Sequence, residues 1–313
     1  KNSGFCRGVR RAVDTAMNAG ENTYVLGEII HNSDVIESIE RRGVKSVESL
    51  SDIPDGATVI FRSHGVPKSY YGECARRGIE ILDCTCEFVR RTQKIVSEQY
   101  SAGKAIVIIG EPTHPEVMGL QGWCGNSAYV INSESSPLPD LEGKDVCVVS
   151  QTTFSVEKFE KIIENIKNQR EKTVAVFKTI CYTTIGRQSE AERIAEKCDA
   201  VLVIGGLNSS NTNKLFEVAS KKCAHVFRLA NAEDFDYSKL KNFLNVGIVS
   251  GASTPDAQTR EVLLKMEEVS TEVKATEAAE EEKVVTEEVV EKQPVEATED
   301  VGAEQPVEVA EEA

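Results

Sequence analysis

The run Ala105-Ile106-Val107-Ile108-Ile109, followed at once by Gly110-Glu111-Pro112-Thr113-His114-Pro115-Glu116, decides what kind of fold the chain adopts. An uninterrupted apolar run of strand length is apolar on both faces, as in parallel strands covered by helices on each side. Gly and Pro then stop the strand and open a polar loop. Similar runs recur at Thr58–Phe61, Ile79–Leu82, Ala128–Ile131, Val146–Val149, Val174–Phe177, Ala200–Ile204, His225–Leu229 and Val246–Val249. Between many of them lie amphipathic stretches, at Arg10–Ala19, Ser33–Arg42, Arg90–Ala102, Val156–Asn168, Gln188–Lys197 and Asn213–Lys221. This alternation predicts an α/β fold with mainly parallel sheets.

At 313 residues, the chain is long enough for two domains or three small ones. Its net charge of −15 is unevenly spread, since Thr271–Ala313 carries −12 and residues 1–270 only −3. The acidic stretch has no aromatic residue or cysteine, which predicts a disordered tail or linker. A nearly neutral body argues against nonspecific nucleic-acid binding through phosphate neutralisation. No apolar run approaches the roughly 20 residues that span a bilayer, and Lys1–Gly8 lacks the apolar core of a signal peptide. Nine cysteines in such a chain point to a reducing cytoplasm, where thiols serve as core residues, metal ligands or nucleophiles.

Five strands lead into small polar loops: Arg62-Ser63-His64-Gly65, the loop after Ile109, Ser150-Gln151-Thr152-Thr153, Gly205-Gly206-Leu207-Asn208-Ser209-Ser210-Asn211, and Ser250-Gly251-Ala252-Ser253. Turn and capping chemistry accounts for any one of them. Their recurrence beyond strand ends suggests anion sites. Three of the four histidines, His31, His64 and His114, fall in such loops, and imidazole can donate to phosphate oxygens. Glu116 reads as a loop carboxyl two residues beyond His114, able to carry protons if buried.

Cys6 precedes a predicted helix, while Cys86 and Cys181 follow strands, at separations of 80 and 95 residues. Three small modules, each delivering one thiolate to a shared centre, would produce that spacing. It does not resemble a local zinc knuckle, although Cys84 and Cys86 alone would form a close pair. Cys147 lies within an apolar strand, and Cys74, Cys124, Cys198 and Cys223 read as structural thiols.

The segments Gly4-Phe5-Cys6-Arg7-Gly8-Val9, Ser63-His64-Gly65-Val66, Asp83-Cys84-Thr85-Cys86, His114-Pro115-Glu116-Val117, Gln151-Thr152-Thr153, Ile180-Cys181-Tyr182, Asn208-Ser209-Ser210-Asn211 and Gly251-Ala252-Ser253 come in the order of one family's motifs. They resemble the 4-hydroxy-3-methylbut-2-enyl diphosphate reductases, iron-sulfur enzymes of the methylerythritol phosphate route to isoprenoids. The resemblance covers approximately residues 1–266. It implies a trefoil of three α/β modules around a central cluster cavity, at 7–85, 86–177 and 178–266, with 1–6 packing near the third and 267–313 as the acidic tail or linker. It further implies one 4Fe-4S cluster per chain on Cys6, Cys86 and Cys181, leaving one iron open, with Cys86 rather than Cys84 in the motif position. His31, His64, His114, Ser209, Ser210, Asn211 and Ser253 would bind the diphosphate. Thr152, Glu116 and His114 would act on the substrate hydroxyl and its protons. Reduced ferredoxin or flavodoxin would be the electron donor, isopentenyl and dimethylallyl diphosphate the products. Some anaerobic relatives continue past such a linker into OB-type RNA-binding domains.

Two other readings compete. Three thiolates could instead hold zinc or a redox-sensing cluster in a regulatory protein. An α/β-hydrolase lacks support, because there is no G-x-S-x-G nucleophile elbow.

Overall fold

Eleven short strands form among the described residues of the computed structural model, which are 3–30, 32–137, 141, 143–168, 174–269 and 271. The first sheet contains β1 (Thr23–Leu26), β2 (Lys45–Val47), β3 (Thr58–Phe61) and β4 (Glu80–Asp83) in the order β2-β1-β3-β4. The second contains β5 (Ala105–Ile109), β6 (Tyr129–Ile131), β7 (Val146–Ser150) and β8 (Val174–Val176) in the order β6-β5-β7-β8. The third contains β9 (Ala200–Ile204), β10 (His225–Leu229) and β11 (Val246–Ser250) in the order β10-β9-β11. Every pairing is parallel, so the sequence expectation of parallel α/β layers holds. Each sheet repeats one order, in which the first strand lies between the second and the third.

The helices are α1 (Arg7–Met17), α2 (Ser33–Glu40), α3 (Lys68–Arg77), α4 (Glu87–Ser101), α5 (Pro115–Gln121), α6 (Val156–Asn168), α7 (Tyr182–Ala195) and α8 (Ser210–Ser220), and residues 256–269 are also helical. The period-two geometry of a strand explains how they are used. On β5, Val107 and Ile109 pack with Phe159, Ile162 and Ile166 of α6. The alternate residues Ile106 and Ile108 pack instead with Val96 of α4 and Val117 and Leu120 of α5. In the first sheet, Ile60 joins Ala12, Val13 and Ala16 of α1, whereas Val59 and Phe61 join Cys74 of α3. In the third, Val201 and Val203 meet Ala191 and Ala195 of α7 and Leu215 of α8.

The sequence reading placed α6 correctly but started four helices late: Arg10, Arg90, Gln188 and Asn213 were expected where Arg7, Glu87, Tyr182 and Ser210 are found. The first turns of these helices mix Val9, Phe88, Val89 and Tyr182 with Arg7, Gly8, Glu87, Thr183, Ser210 and Asn211, and so show no clear apolar stripe. The apolar periodicity therefore begins about one turn inside each helix. Residues Lys1–Met266 make one unit and Glu267–Ala313 another. Apart from 267–269 and 271, the tail expected to be disordered lies outside the described residues. No helix among the described residues is long and apolar enough to cross a membrane.

Gly65 shows how tightly the loop after β3 is held. Its φ is +73°, and a Cβ there would lie 2.4 Å from Gln93 Nε2 and 3.1 Å from Thr85 Cγ2. Gly65→Ala should therefore cost about 2–4 kcal/mol through left-handed strain and overpacking. The expected result is a lower denaturant midpoint at unchanged slope; an unshifted midpoint would show that the loop can relax.

Candidate functional site

The three sheets reverse strand order at their centres, and loops leaving the carboxyl ends of such strands diverge and open a crevice. Those loops carry Ser63 and His64 after β3, His114 after β5, Thr152 and Thr153 after β7, Ser209 after β9, and Ala252 and Ser253 after β11. Together with Cys6, Cys86, Cys181, Glu116, Ser210 and Asn211, they line one inner cavity of about 100 Å³. All the site residues expected from the sequence meet there except His31, which lies outside the described residues.

Cys6, Cys86 and Cys181 occupy the same structural position three times. They are the N-caps of α1, α4 and α7, each extended in backbone, and none uses its side chain as a cap. Each backbone N–H instead donates to a carbonyl in a central loop: Cys6 to Ala252 at 2.9 Å, Cys86 to Ser63 at 3.0 Å, and Cys181 to Thr152 at 2.9 Å. Each thiol is thus half-buried, free of any disulfide, and set at a positive helix end that favours thiolate. Burial pushes the Cys86 thiol up, and negative charge on Cys6 and Cys181 adds to the effect. Gly8 permits the approach, since a Cβ on it would lie 2.9 Å from Cys86 Sγ. Cys84 points elsewhere; it is 3 % exposed and packs in the core of the first sheet.

Glu116 sits on the first turn of α5, not in a loop as the sequence suggested. Pro115 at the first helical position, with its fixed φ, begins the helix earlier than the apolar pattern does. The carboxyl is 1 % exposed and accepts two bonds of 2.7 Å, from the Thr152 backbone N–H and from Thr152 Oγ1. Burial raises its pKa to about 7, outweighing the two Thr152 bonds, which pull it down. His114 caps α5 by accepting the Glu116 N–H at its Nδ1, at 3.2 Å. In the neutral ring the proton is therefore on Nε2. His64 packs edge-to-face on His114, with ring centroids 5.3 Å apart.

Around α8 the donors are neutral. Ser209 caps the helix and accepts from Ser253 Oγ at 3.4 Å. Ser210 Oγ accepts from Gln151 Nε2 at 3.0 Å and Thr153 Oγ1 at 3.1 Å. The Asn211 side chain is buried, yet neither amide atom has a hydrogen-bond partner among the described residues. A buried amide left this way is costly unless a ligand meets it.

Gln151 and Thr153 were legible only as part of a motif, and Arg187 was not legible at all. Arg187 is 4 % exposed and donates to the carbonyls of Ser250 and Gly4, the latter at 2.6 Å, tying the Cys6 loop to β11. Buried arginines are rare enough that composition gives no hint of them. Among the described residues, no three His, Cys, Asp or Glu side chains converge tightly enough for a single metal ion.

Comparison with known proteins follows this geometry. The family described as LytB protein matches residues 1–267. The 4-hydroxy-3-methylbut-2-enyl diphosphate reductase of Thermoanaerobacter sp. (strain X514) is 41% identical over 273 residues, 84% of this chain and 94% of that protein. The protein of the same name from Clostridium perfringens (strain SM101 / Type A) is 40% identical over 278 residues, 86% of this chain and 97% of its own length. Among solved structures, E-1-hydroxy-2-methyl-but-2-enyl-4-diphosphate reductase from Plasmodium falciparum superposes with a TM-score of 0.76 at 28% identity, covering 83% of this chain and 84% of that one. A family match running nearly the whole length of the folded body, joined to relatives above 30% identity, means that this chain belongs to the LytB family.

Proposed function

We propose that the chain reduces (E)-4-hydroxy-3-methylbut-2-enyl diphosphate to isopentenyl and dimethylallyl diphosphate, with one 4Fe-4S cluster on Cys6, Cys86 and Cys181. The observation that carries this reading is one cavity lined by the three N-cap cysteines and by a protonatable buried carboxyl. The thiols suit a cluster because each thiolate of a cluster binds a different iron, so three of them need not converge on one point. When bound, the cluster would pass the donor's two electrons one at a time and would offer an iron not held by a cysteine.

The residues account for the rest of the chemistry. Replacing the substrate's C–O bond by C–H takes up two electrons and two protons and releases one water. Hydroxide leaves poorly, so a nearby acid is needed. Glu116 remains partly protonated near neutral pH; Thr152 Oγ1, which donates to the carboxylate in the structure, would turn to accept from the protonated acid and pass its own proton to the substrate hydroxyl. His64, His114 and Ser253, with His31 from outside the described residues, bind the diphosphate together with Ser209, Ser210 and Asn211 at the N-terminus of α8. Asn211 in particular finds in the ligand the partner it lacks in the protein.

One sheet falls within each of 7–85, 86–177 and 178–266, which supports division into three modules, and the Cys6 bond to Ala252 supports packing of 1–6 near the third. Nine free cysteines suit a cytoplasmic setting. Reduced ferredoxin or flavodoxin would be the electron donor.

Anaerobically prepared protein should contain four irons per chain and oxidise reduced methyl viologen only when given the hydroxylated diphosphate; iron-replete protein without such turnover would sink the assignment. Cys181→Ser should fold but lose iron, seen as a fall in iron per chain. Glu116→Gln should keep substrate affinity while turnover drops about 100-fold or more. Wild-type turnover should also fall as pH rises through about 7, where Glu116 loses its proton. Because burial raises the folded-state pKa, ionised Glu116 destabilises the fold: the penalty is absent below about 4.5 and full above about 7, where it reaches roughly 3 kcal/mol. Denaturation at pH 5 and pH 8 should accordingly show Glu116→Gln gaining on wild type at the higher pH only.

A further inference from the structure

Positive charge stands near the three cysteines in two forms. On the outer side they line a second, more open groove of about 710 Å³, together with Arg7, Arg10 and Arg11. Arg7 and Arg10 are exposed and pair with Glu87 and Asp256 at 3.5 and 3.7 Å. Water and salt screen charges of this kind. Arg187 is buried, and it lines neither that groove nor the inner cavity. It borders instead a separate pocket of about 100 Å³, beside Ser3, Glu190 and Ile248.

The bonds of Arg187 close a ring that contains two of the three cysteines. α7 begins at its N-cap Cys181, and Arg187 lies on the second turn, where helical side chains lean back toward the N-terminus. Its guanidinium donates to the carbonyl of Gly4, at 2.6 Å, and to that of Ser250. Further along the same two segments, the Cys6 N–H donates to the carbonyl of Ala252 at 2.9 Å. The helix of one cysteine therefore grips the segment that carries another, and does so through the loop that already holds it. Gly4 fits there because its φ is +79° and its Cα faces Asp256, whose carboxylate a Cβ would strike. Ser3 donates to that same carboxylate at 3.2 Å.

Both acceptors are neutral carbonyls, and the guanidinium Nε has no hydrogen-bond partner among the described residues. A buried cation held this way is costly unless negative charge lies near it. Burial pulls the Arg187 pKa down, and negative charge on Cys6 does more to hold it up than Glu190 or Asp256. A neutral donor could fasten the same carbonyls without the cost of burying a charge. We propose, building on the reductase reading, that Arg187 is a positioning residue for the three-cysteine centre: it fixes the Cys6 segment against the Cys181 helix, and its buried positive charge makes that centre easier to reduce. A 4Fe-4S centre gains one negative charge with each electron it accepts, and a fixed cation in surroundings of low dielectric stabilises the more negative state. Glu116 is not affected in the same way, since burial and Thr152 account for its raised pKa.

Arg187→Lys and Arg187→Gln separate charge from fastening, because both side chains can donate to a carbonyl and only lysine is charged. Anaerobic holoenzyme without substrate is reduced with dithionite at controlled potential and followed by electron paramagnetic resonance. At the wild-type midpoint, the ratio of reduced to oxidised cluster should fall about tenfold in Arg187→Gln, a shift of about 59 mV to lower potential, and stay near wild type in Arg187→Lys. Amide hydrogen exchange of residues 3–9 in the same holoenzyme should quicken at least about tenfold in Arg187→Gln and by less in Arg187→Lys. An unchanged midpoint in Arg187→Gln would overturn the proposal and leave Arg187 a fastener alone. So would an equal shift in Arg187→Lys, or exchange of residues 3–9 as slow as wild type in both variants. Should Arg187→Gln fail to fold, Arg187→Lys decides: quicker exchange with the midpoint held supports the proposal, and wild-type exchange or a lower midpoint overturns it. Holoenzyme with a reducible cluster but no turnover of the hydroxylated diphosphate would sink the reductase reading alone, since none of these measurements uses substrate.

Discussion

Three backbone hydrogen bonds, from the N–H groups of Cys6, Cys86 and Cys181 to the carbonyls of Ala252, Ser63 and Thr152, fix where everything else in the centre can be. An N-cap residue has an N–H that the helix itself does not use. Here all three go to loops that leave the carboxyl ends of β11, β3 and β7. Each bond therefore joins a helix end to a strand end, and the thiols are placed by backbone, with side chains left over for chemistry. Moving any one helix along its axis would break the bond and withdraw its sulfur from the other two. The close contact at Gly8 reinforces this, because a side chain there would push α1 off Cys86.

Burial and charge must be read together in the inner cavity. Glu116 is held up near 7 by desolvation although two Thr152 donors favour its anion. A lysine or arginine beside it would pull the pKa back down and leave a carboxylate with no proton to give. The same cavity has to accept a diphosphate if the proposed reaction holds, and a phosphate site is often built from those same cations. Imidazole, hydroxyl and amide groups at a helix N-terminus resolve the conflict, since they bind an anion without adding a permanent positive charge. The tautomer of His114 follows from this arrangement: its Nδ1 is occupied by the Glu116 N–H, so only Nε2 can turn to the ligand.

What the sequence made legible was the part written in apolar pattern or in repeated context. Ala105–Ile109 and Val156–Asn168 have the periodicity of their structures and were placed correctly. The cysteines stood out by their spacing, and the loops by their Gly, Ser and Asn. Lys68–Arg77 went unread because its only fully buried residue is Cys74, too weak an apolar stripe to show a period. β1 and β2, of four and three residues, are too short for a pattern to emerge. Glu116 was read as a loop residue because a seven-residue helix opened by proline has one apolar turn. Arg187 gave no signal, since its role depends on two carbonyls distant in sequence.

The same electrostatic constraint explains why the permanent cations lie where they do. Guanidinium groups facing the inner chamber would ionise Glu116; placed on the outer groove, behind the thiols, they do not. α1 and α4 accomplish this with one device: a cysteine at the N-cap, a valine three residues on that turns inward, and two arginines after it that turn out. The helical period of 3.6 residues sends positions three and four or five past the cap in different directions. A single short sequence thereby sets a sulfur at the centre, an apolar wall toward the inner cavity and positive charge on the outside. α7 begins with Cys181-Tyr182-Thr183-Thr184 instead, and its first turn contributes the exposed aromatic ring and the hydroxyls of the inner wall. The departure of the third copy from the other two gives the outer face its apolar centre between two basic flanks.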